Sequence, residues 1–443
     1  MELRNYQEEC IEILKSNKKK QLIQLPTGSG KTVIFLSYLR KNSKKALIVV
    51  PTLDLQYQIY ENALNFYHKD EICMKKNSVN LKKSKIYILV ANSLASEKVM
   101  NFFLNEDLDH IIIDEAHKAL SKMYMNFIDF YETNGKNFKL IGFTATPERL
   151  DRKSLLGIFK EITYKKTIYN LIQAGYLCDV KCYRIKTNNK IESENKTQDF
   201  KSIEIKSLDN YSRNKLIYDT LFEHCLGKKT LIFCLSVDHA EKIAHYLRSE
   251  KGIKAFAIHG NQKISHRKEI LNKFKSGEIK VLTNCQLLTE GFDEPSIECL
   301  IIARPTKSKS LYCQMIGRGV RKFPNKEICN VYELTDNSHK ICTFNVAADD
   351  TKETSFKREY PQGITLTRLH QEINEISLSD YILEKEEISI LSTFEDFIKS
   401  HGLLDCQKKK LKEKSIMYIE PVNMLEAGFL LFLQGLKEKY GFN

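Results

Sequence analysis

The chain has 443 residues, enough for two or three domains, and its 42% hydrophobic content is typical of proteins with an apolar core. Its net charge of +13 indicates an anionic partner, although a general bias toward Lys, Asn and Ile would explain the same charge. The 12 Cys include no C-x-x-C pair, which argues against a zinc module and favours reduced thiols in the cytoplasm or nucleoid. A polar N-terminus predicts no signal peptide, and the densest apolar stretch, 424–433, is too short to span a bilayer.

Short apolar runs rich in β-branched residues alternate with amphipathic segments in the first part of the chain. These runs are 21–25, 46–50, 86–90, 110–113 and 139–143. Continuous apolar runs of this length are typical of buried parallel strands, and the segments between them are typical of helices.

A polar stretch, 166–207, interrupts this alternation and is interpreted as a connector. Five further strands are predicted at 230–235, 254–258, 280–283, 299–303 and 330–334. The pattern predicts an α/β fold with two tandem parallel-sheet domains, 1–165 and 208–343, and a mainly helical extension at 344–443.

A predicted strand, a glycine-rich turn and a predicted helix follow one another near the start of the chain. The turn reads Pro26-Thr27-Gly28-Ser29-Gly30-Lys31-Thr32. Gly28 and Gly30 allow the backbone N–H groups to point at phosphate oxygens, while Lys31 would add a positive charge there and Thr32 would bind Mg²⁺. The strict phosphate-loop pattern has glycine where this chain has Leu25, so a chance turn is the alternative.

Two carboxylates follow the predicted strand at 110–113, in the sequence Asp114-Glu115-Ala116-His117. Ligands bind at the carboxyl ends of strands in open parallel sheets, so both carboxylates are expected beside the phosphates. Asp114 would hold Mg²⁺, and Glu115 would orient or deprotonate the attacking water. The alternative is an ordinary solvated turn at a strand end.

With these motifs, the chain resembles the superfamily 2 helicases that carry a DEAH sequence, over residues 3–334 and in the family's order. The resemblance implies two RecA-like domains that bind ATP and Mg²⁺ between them. Arg4-Asn5-Tyr6-Gln7 resembles the adenine-recognising element, in which Gln7 would read the base edge and Arg4 would support it. The ATP-binding residues implied in the first domain are Arg4, Gln7, Thr27, Gly28, Ser29, Gly30, Lys31 and Thr32.

Three further residues of the first domain resemble positions that couple hydrolysis to movement of the domains. Thr144 and Thr146 lie in Phe143-Thr144-Ala145-Thr146-Pro147, which resembles the coupling motif. His117 resembles the histidine that links the ATP site to the second domain. A merely structural histidine is the alternative, and its neighbours offer no metal-ligand partner at helical spacing.

The second domain resembles the family at two motifs, one containing an acidic residue and the other two arginines. Residues 282–284 through 290–293 resemble motif V, which implies that Gly291 and Asp293 contact ATP. Gln314, Arg318 and Arg321 fit the Q-x-x-G-R-x-x-R pattern of motif VI. An inserted arginine stabilises negative charge that develops on the γ-phosphoryl group, and these arginines could reach it only when the domains close. The alternative is a solvated helical face.

Nucleic-acid contacts are implied at four positions after or at the end of predicted strands: Pro51, Thr52, Ser93 and Thr283. Hydroxyl and N–H contacts to backbone phosphates position a strand without reading its sequence. We therefore expect little sequence specificity and strong salt dependence. An ordinary threonine at a strand end is the alternative for Thr52 and Thr283.

The combination of motifs resembles DNA-directed members of the family, which include RadD-like and XPB-like proteins in repair, recombination or restriction. The leading hypothesis is a DNA translocase or helicase, and an RNA helicase on the same core is the alternative. A third hypothesis is a nucleic-acid-binding scaffold with an inactive ATP site. The extension at 344–443, with its basic run at 408–414, could contact a protein partner or more nucleic acid.

Overall fold

The computed structural model describes residues 2–74, 81–146, 155–190, 199–285, 287–289, 292–337 and 363–368. All of them belong to one compact unit, Met1–His370, which contains two α/β lobes. The extension predicted to be helical, 344–443, lies outside the described residues except for 363–368. None of the described helices has the length and hydropathy of a bilayer-crossing segment.

Seven parallel strands form the sheet of the first lobe. They are β1 Lys20–Gln24, β2 Ala46–Val50, β3 Ile72–Met74, β4 Ile86–Val90, β5 His110–Asp114, β6 Lys139–Thr144 and β7 Ile162–Lys165. Their order across the sheet is β3-β4-β2-β5-β6-β1-β7. The five predicted strands are confirmed and form the inside of the sheet, where both faces are covered and apolar runs are continuous. The two strands that the sequence pattern missed, β3 and β7, are short edge strands.

Helices cover both faces of this sheet. They are α1 Asn5–Leu14, α2 Lys31–Asn42, α3 Leu53–Ala63, α4 Glu97–Leu104, α5 Lys122–Thr133, α6 Leu156–Phe159 and α7 Ile168–Gln173. Short 3₁₀ turns lie at Lys69–Glu71, Ala91–Ala95 and Ala116–Lys118. On one face, aromatic side chains of α4 and α5, including Phe103, Phe127 and Tyr131, pack against Leu47 and Ile111 of the sheet.

The second lobe has its own seven-stranded sheet. Its strands are β8 Asp179–Lys190, β9 Thr230–Phe233, β10 Ala255–Ile258, β11 Val281–Asn284, β12 Cys299–Ile302, β13 Ile328–Asn337 and β14 Ile364–Thr365. Their order is β10-β11-β9-β12-β13-β8-β14, and only β14 runs antiparallel to its neighbour. All five strands predicted for this domain are confirmed, which gives the α/β fold expected from the sequence.

The helices of the second lobe follow the same alternation with strands. They are α8 Ser202–Lys206, α9 Tyr211–Thr220, α10 Val237–Ser249, α11 Ile264–Ser276 and α12 Lys309–Ile316. A π-helical turn, Leu221–Cys225, extends α9, and a 3₁₀ turn lies at Leu287–Thr289.

The predicted connector, 166–207, is wrong as a separate segment. Strand β8 lies within it and pairs in parallel with β13 from Asp179 to Lys186, so that this part belongs to the second sheet. The sequence pattern missed β8 because only one of its faces is deeply buried, at Val180 and Cys182, while charged residues alternate with them. The crossing between the lobes is therefore short, and it ends at Cys178.

Gly142 lies in the middle of β6, where two buried groups approach the backbone closely. A Cβ at this position would lie 2.6 Å from Cζ of Phe159 and 2.9 Å from Cβ of Ala116. Neither neighbour can move freely, because both are buried in the core of the first lobe. The absence of a side chain at Gly142 therefore lets the turn at Ala116 pack directly against the sheet.

We predict that Gly142→Ala lowers the free energy of unfolding of the first lobe by about 1–3 kcal/mol, because an added methyl group overpacks the core. Gly157→Ala is the matched control, since a Cβ at Gly157 would meet no heavy atom within 4 Å. Urea denaturation of both variants, followed by circular dichroism, measures the difference. An unchanged transition in Gly142→Ala would contradict the close packing on β6.

Candidate functional site

The glycine-rich turn after β1 has the geometry of a phosphate-binding loop. Gly28 and Gly30 have φ angles of +85° and +77°, a left-handed conformation that glycine adopts without steric cost. Helix α2 begins at Lys31, so the N–H groups of its first turn face the loop. Nζ of Lys31 donates to the carbonyl oxygen of Leu25 at 3.4 Å and lies 4.0 Å from Oε1 of Glu115. The turn therefore presents positive charge at the place where an anion would bind.

The two carboxylates lie at the end of β5, as the sequence predicted. Asp114 is the last residue of the strand, and its Oδ1 accepts a hydrogen bond from the N–H of Glu115 at 3.0 Å. Glu115 has a φ of +52°, in the left-handed region that costs a non-glycine residue energy. Both side chains are buried, which is unusual for carboxylates and typical of functional sites.

The charge state of Glu115 is set by groups from both lobes. Burial raises the pKa of its carboxyl group, but neighbouring basic groups outweigh burial and hold the pKa below its usual value. In order of strength they belong to Lys31, His117, Lys118 and Arg318. Since Arg318 is on the second lobe, the site is assembled from both.

The predicted coupling residues are brought together beside Glu115. Nδ1 of His117 lies 3.3 Å from Oγ1 of Thr144 and 3.4 Å from Oε2 of Glu115. The hydroxyl of Thr144 donates to the carbonyl oxygen of Thr146 at 2.7 Å. This contact chain joins the turn after β5 to the end of β6, so a change at the carboxylate can reach the neighbouring strand.

The N-terminal residues contact the glycine-rich turn from the side. Nε2 of Gln7 donates to the carbonyl oxygen of Ser29 at 3.2 Å, and Oε1 of Gln7 accepts from the N–H of Arg4 at 3.0 Å. The hydroxyl of Tyr6 donates to the same Ser29 oxygen. Recognition of a base by Gln7 and Arg4 stays a prediction, but both residues lie next to the turn.

The second lobe meets the glycine-rich turn through residues that follow α12. A Cβ at Gly317 would lie only 2.5 Å from Cβ of Thr27, so the backbone of one lobe touches the turn of the other. A Cβ at Gly28 would lie 3.2 Å from Cγ of Arg321. The predicted arginines therefore face the first lobe, and the alternative of a solvated helical face is wrong for Arg321 and for the buried Arg318.

Both arginines are also fixed to the segment that precedes β12. Nη1 of each donates to the carbonyl oxygen of Phe292, at 2.9 Å in the case of Arg321. Nη1 of Arg321 lies 2.8 Å from Oδ1 of Asp293, one of the predicted ATP contacts. The other predicted contact in this segment, Gly291, lies outside the described residues.

A second contact joins the lobes away from the glycine-rich turn. Nη1 of Arg267, on α11, lies 3.4 Å from Oδ2 of Asp54, on α3. The lobes thus meet both at the turn and near the carboxyl end of β2.

Several buried polar atoms around the turn lack a hydrogen-bond partner within the protein. They are Oγ1 of Thr27, Oγ of Ser29, Oγ1 of Thr146 and Nε2 of Gln314. Buried polar atoms are normally satisfied, so this cluster fits a polar ligand such as the phosphates of a nucleotide. In the part of the chain that the structure describes, no three His, Cys, Asp or Glu residues are grouped to hold a metal. The assignment of Mg²⁺ to Thr32 and Asp114 stays a prediction, and Mg²⁺ is commonly bound by few protein ligands together with phosphate and water.

One predicted nucleic-acid contact is wrong. Thr283 is fully buried in β11, and its hydroxyl donates to the carbonyl oxygen of Ala240 at 2.8 Å, so it cannot reach a ligand. Thr52 is partly exposed and caps α3 by accepting from the N–H of Leu55 at 3.3 Å. Pro51 and Ser93 are also partly exposed, after the adjacent strands β2 and β4.

Three residues of the site were missed as functional candidates. Tyr6 belongs to the motif that resembles the adenine-recognising element, but the sequence indicated no role for it. Gly317 lies between Gln314 and Arg318 of motif VI. Tyr176 lies in the segment predicted to be a connector. An aromatic residue beside Gln7 and a glycine beside Arg318 were the available signals. Nothing in the sequence placed Tyr176 near the N-terminus, since this contact exists only in the folded chain.

Two family models match the chain, in the order of its lobes. Residues 1–149 match the family described as type III restriction enzyme, res subunit, and residues 212–322 match the helicase conserved C-terminal domain. The first match contains the glycine-rich turn and the carboxylates, and the second contains Arg318 and Arg321.

The chain is also similar to two yeast proteins named as ATP-dependent helicases. It is 30% identical over 357 residues to IRC3 of Saccharomyces cerevisiae, which is 75% of this chain and 51% of that protein. It is 30% identical over 359 residues to the mitochondrial irc3 of Schizosaccharomyces pombe, which is 77% of this chain and 58% of that protein. The chain thus spans little more than half the length of these relatives.

The fold resembles that of a fragment assigned as the HsdR subunit of a type I restriction enzyme from Vibrio vulnificus YJ016. The TM-score is 0.54 at 22% identity, over 75% of this chain and 64% of that chain. The two lobes therefore have the RecA-like fold that the sequence resemblance implied.

We predict that Gly317→Ala separates the lobes, because the new methyl group would overlap Thr27 and cost about 1–3 kcal/mol. Hydrogen exchange measured by mass spectrometry should then be faster in residues 26–31 and 318–321 than in the wild type. Gly260→Ala is the control, since a Cβ there meets no heavy atom within 4 Å. Wild-type exchange in both segments of Gly317→Ala would contradict the contact between the lobes.

Proposed function

Because the chain belongs to the superfamily 2 helicases, we propose that it is a nucleic-acid-dependent ATPase of the DEAH-box group that translocates on DNA. One observation carries the proposal. The glycine-rich turn and the buried carboxylate of Glu115, which lies 4.0 Å from Lys31, belong to the first lobe, and Gly317 and Arg321 of the second lobe pack directly against that turn. Such an arrangement suits a reaction that is completed only when the lobes close.

ATP binding is assigned to the glycine-rich turn and to the residues beside it. The N–H groups of the turn and the ammonium group of Lys31 hold the phosphates, and Arg4 and Gln7 recognise the base. Thr32 and Asp114 hold Mg²⁺, which when bound neutralises charge on the β- and γ-phosphates. The orphaned hydroxyl groups of Thr27 and Ser29 support this assignment, since a nucleotide would supply their missing partners.

Hydrolysis is assigned to Glu115 together with the motif VI residues. The ionised carboxylate of Glu115 orients the attacking water and accepts its proton. The guanidinium groups of Arg318 and Arg321 stabilise the charge that develops on the transferred phosphoryl group, an effect typically worth about 10³–10⁵ in rate. Gln314 offers a buried amide Nε2 to the same site.

Hydrolysis is proposed to change the distance between the lobes. ATP holds the lobes together through the two arginines, and loss of the γ-phosphate releases them. The contact chain of His117, Thr144 and Thr146 transmits the change within the first lobe. The nucleic-acid contacts assigned below lie on the first lobe, and repeated movement of the second lobe relative to them advances the protein along the nucleic acid.

Nucleic acid is assigned to the carboxyl ends of strands β2 and β4 in the first sheet, where Pro51, Thr52 and Ser93 are partly exposed. Contacts there are to backbone phosphates, so binding is not sequence-specific and weakens with salt. DNA is favoured over RNA because residues 1–149 match a restriction-enzyme family. The net charge of +13 supports a polyanionic partner of either kind.

We predict that Glu115→Gln lowers the rate of ATP hydrolysis about 100-fold or more while ATP remains bound, since the amide keeps the size of the side chain but cannot accept a proton. Phosphate release and retention of labelled ATP on filters measure the two effects. Glu61→Gln, at an exposed glutamate on α3, is the control. Equal phosphate release by wild type and Glu115→Gln would contradict the role of Glu115. A wild type that releases no phosphate would favour the scaffold with an inactive site.

We predict that single-stranded or duplex DNA stimulates ATP hydrolysis more strongly than RNA of the same sequence and length. Steady-state ATPase assays with matched oligomers at two salt concentrations test this, and stimulation should fall as salt rises. Stimulation by RNA alone would overturn the choice of DNA and favour an RNA helicase on the same core.

A further inference from the structure

Tyr176 lies where the chain crosses from the first lobe to the second, and its ring contacts the N-terminal segment. The guanidinium carbon of Arg4 lies 5.5 Å from the centroid of the Tyr176 ring. The ring of Tyr6 meets the same ring edge to face, with 5.0 Å between centroids. Tyr176 is a partly exposed residue, so an aromatic side chain is accessible in part beside a cation.

This aromatic cluster is attached to the glycine-rich turn. Nη1 of Arg4 donates to the hydroxyl oxygen of Tyr6 at 3.3 Å, and the Tyr6 hydroxyl donates to the carbonyl oxygen of Ser29. Gln7 donates to the same oxygen at 3.2 Å. A base joined through its ribose to phosphates on the turn would therefore lie within reach of Arg4, Gln7 and Tyr176.

The residues after Tyr176 are hydrogen-bonded to the backbone of the segment that contains Arg321. Leu177 forms an antiparallel bridge with Arg321, and the N–H of Cys178 donates to the carbonyl oxygen of Val320 at 2.8 Å. Cδ2 of Leu177 would lie 3.7 Å from a Cβ at Gly28. Tyr176 therefore immediately precedes the residue whose backbone bridges to Arg321.

We propose that Tyr176 is a base-recognition residue for ATP, and that its backbone connection through Leu177 links base binding to the position of Arg321. The inference rests on the proposed ATPase function and assigns a further residue to the same site. The base stacks on the accessible part of the Tyr176 ring, beside the guanidinium group of Arg4. Displacement of the ring then displaces Leu177 and the bridged Arg321, so a triphosphate without a purine is hydrolysed less efficiently.

The test compares ATP with inorganic tripolyphosphate, which has the phosphates but no base. We expect Tyr176→Ala to lower the ratio of kcat/KM for ATP to kcat/KM for tripolyphosphate about tenfold or more, the effect typical of losing one aromatic stacking partner. Both KM for ATP and kcat should change, because the residue binds the base and positions Arg321. Tyr176→Phe keeps the ring and should stay close to the wild type.

Two variants control for effects on folding. Tyr176→Leu keeps an apolar side chain of similar bulk and should lose discrimination as Tyr176→Ala does, whereas Tyr211→Ala removes an exposed tyrosine of the second lobe and should retain it. Equal losses on both substrates, or an unchanged ratio, would overturn the inference. A rise in KM at constant kcat would overturn the link to Arg321. A wild type that hydrolyses no nucleoside triphosphate would instead overturn the proposed function.

Discussion

The ammonium group of Lys31, 4.0 Å from the buried carboxylate of Glu115, is the largest of the influences that hold the pKa of this carboxyl group below its usual value. Moving a carboxylate out of water costs several kcal/mol unless opposite charges compensate. Lys31 of the first lobe provides the largest compensation and Arg318 of the second lobe a smaller one, so the approach of the second lobe adds to a charge balance that first-lobe residues largely set.

The two parallel sheets make this approach possible by holding each loop on a rigid frame. Strands β5, β6 and β1 are neighbours and run parallel. Asp114, Thr144 and the turn before Lys31 therefore lie together at the carboxyl ends of these strands. The two lobes also pack closely against each other, because Gly317 has no side chain that would overlap Thr27. Positions without side chains are thus as necessary to the site as the charged residues.

The short crossing between the lobes connects the two ends of the site. Because β8 belongs to the second sheet, Leu177 and Cys178 are held against the backbone around Arg321, while Tyr176 remains against Arg4 of the first lobe. A segment held at both ends transmits displacement more directly than a flexible linker would. The crossing therefore joins the region assigned to the base with the region assigned to the leaving phosphate.

The sequence by itself determined the inner strands, the glycine-rich turn, the carboxylates of Asp114 and Glu115, and the paired arginines, because continuous apolar runs and fixed local spacings encode them. The edge strands and β8 needed the tertiary structure, since strands buried on one side or only a few residues long have weak patterns. Thr283 shows the same limit for a site residue: its position at the end of a predicted strand indicated exposure, but neighbouring strands and α10 bury it completely. The place of Tyr176 was decided only by folding, because contacts between residues far apart in sequence leave no local pattern.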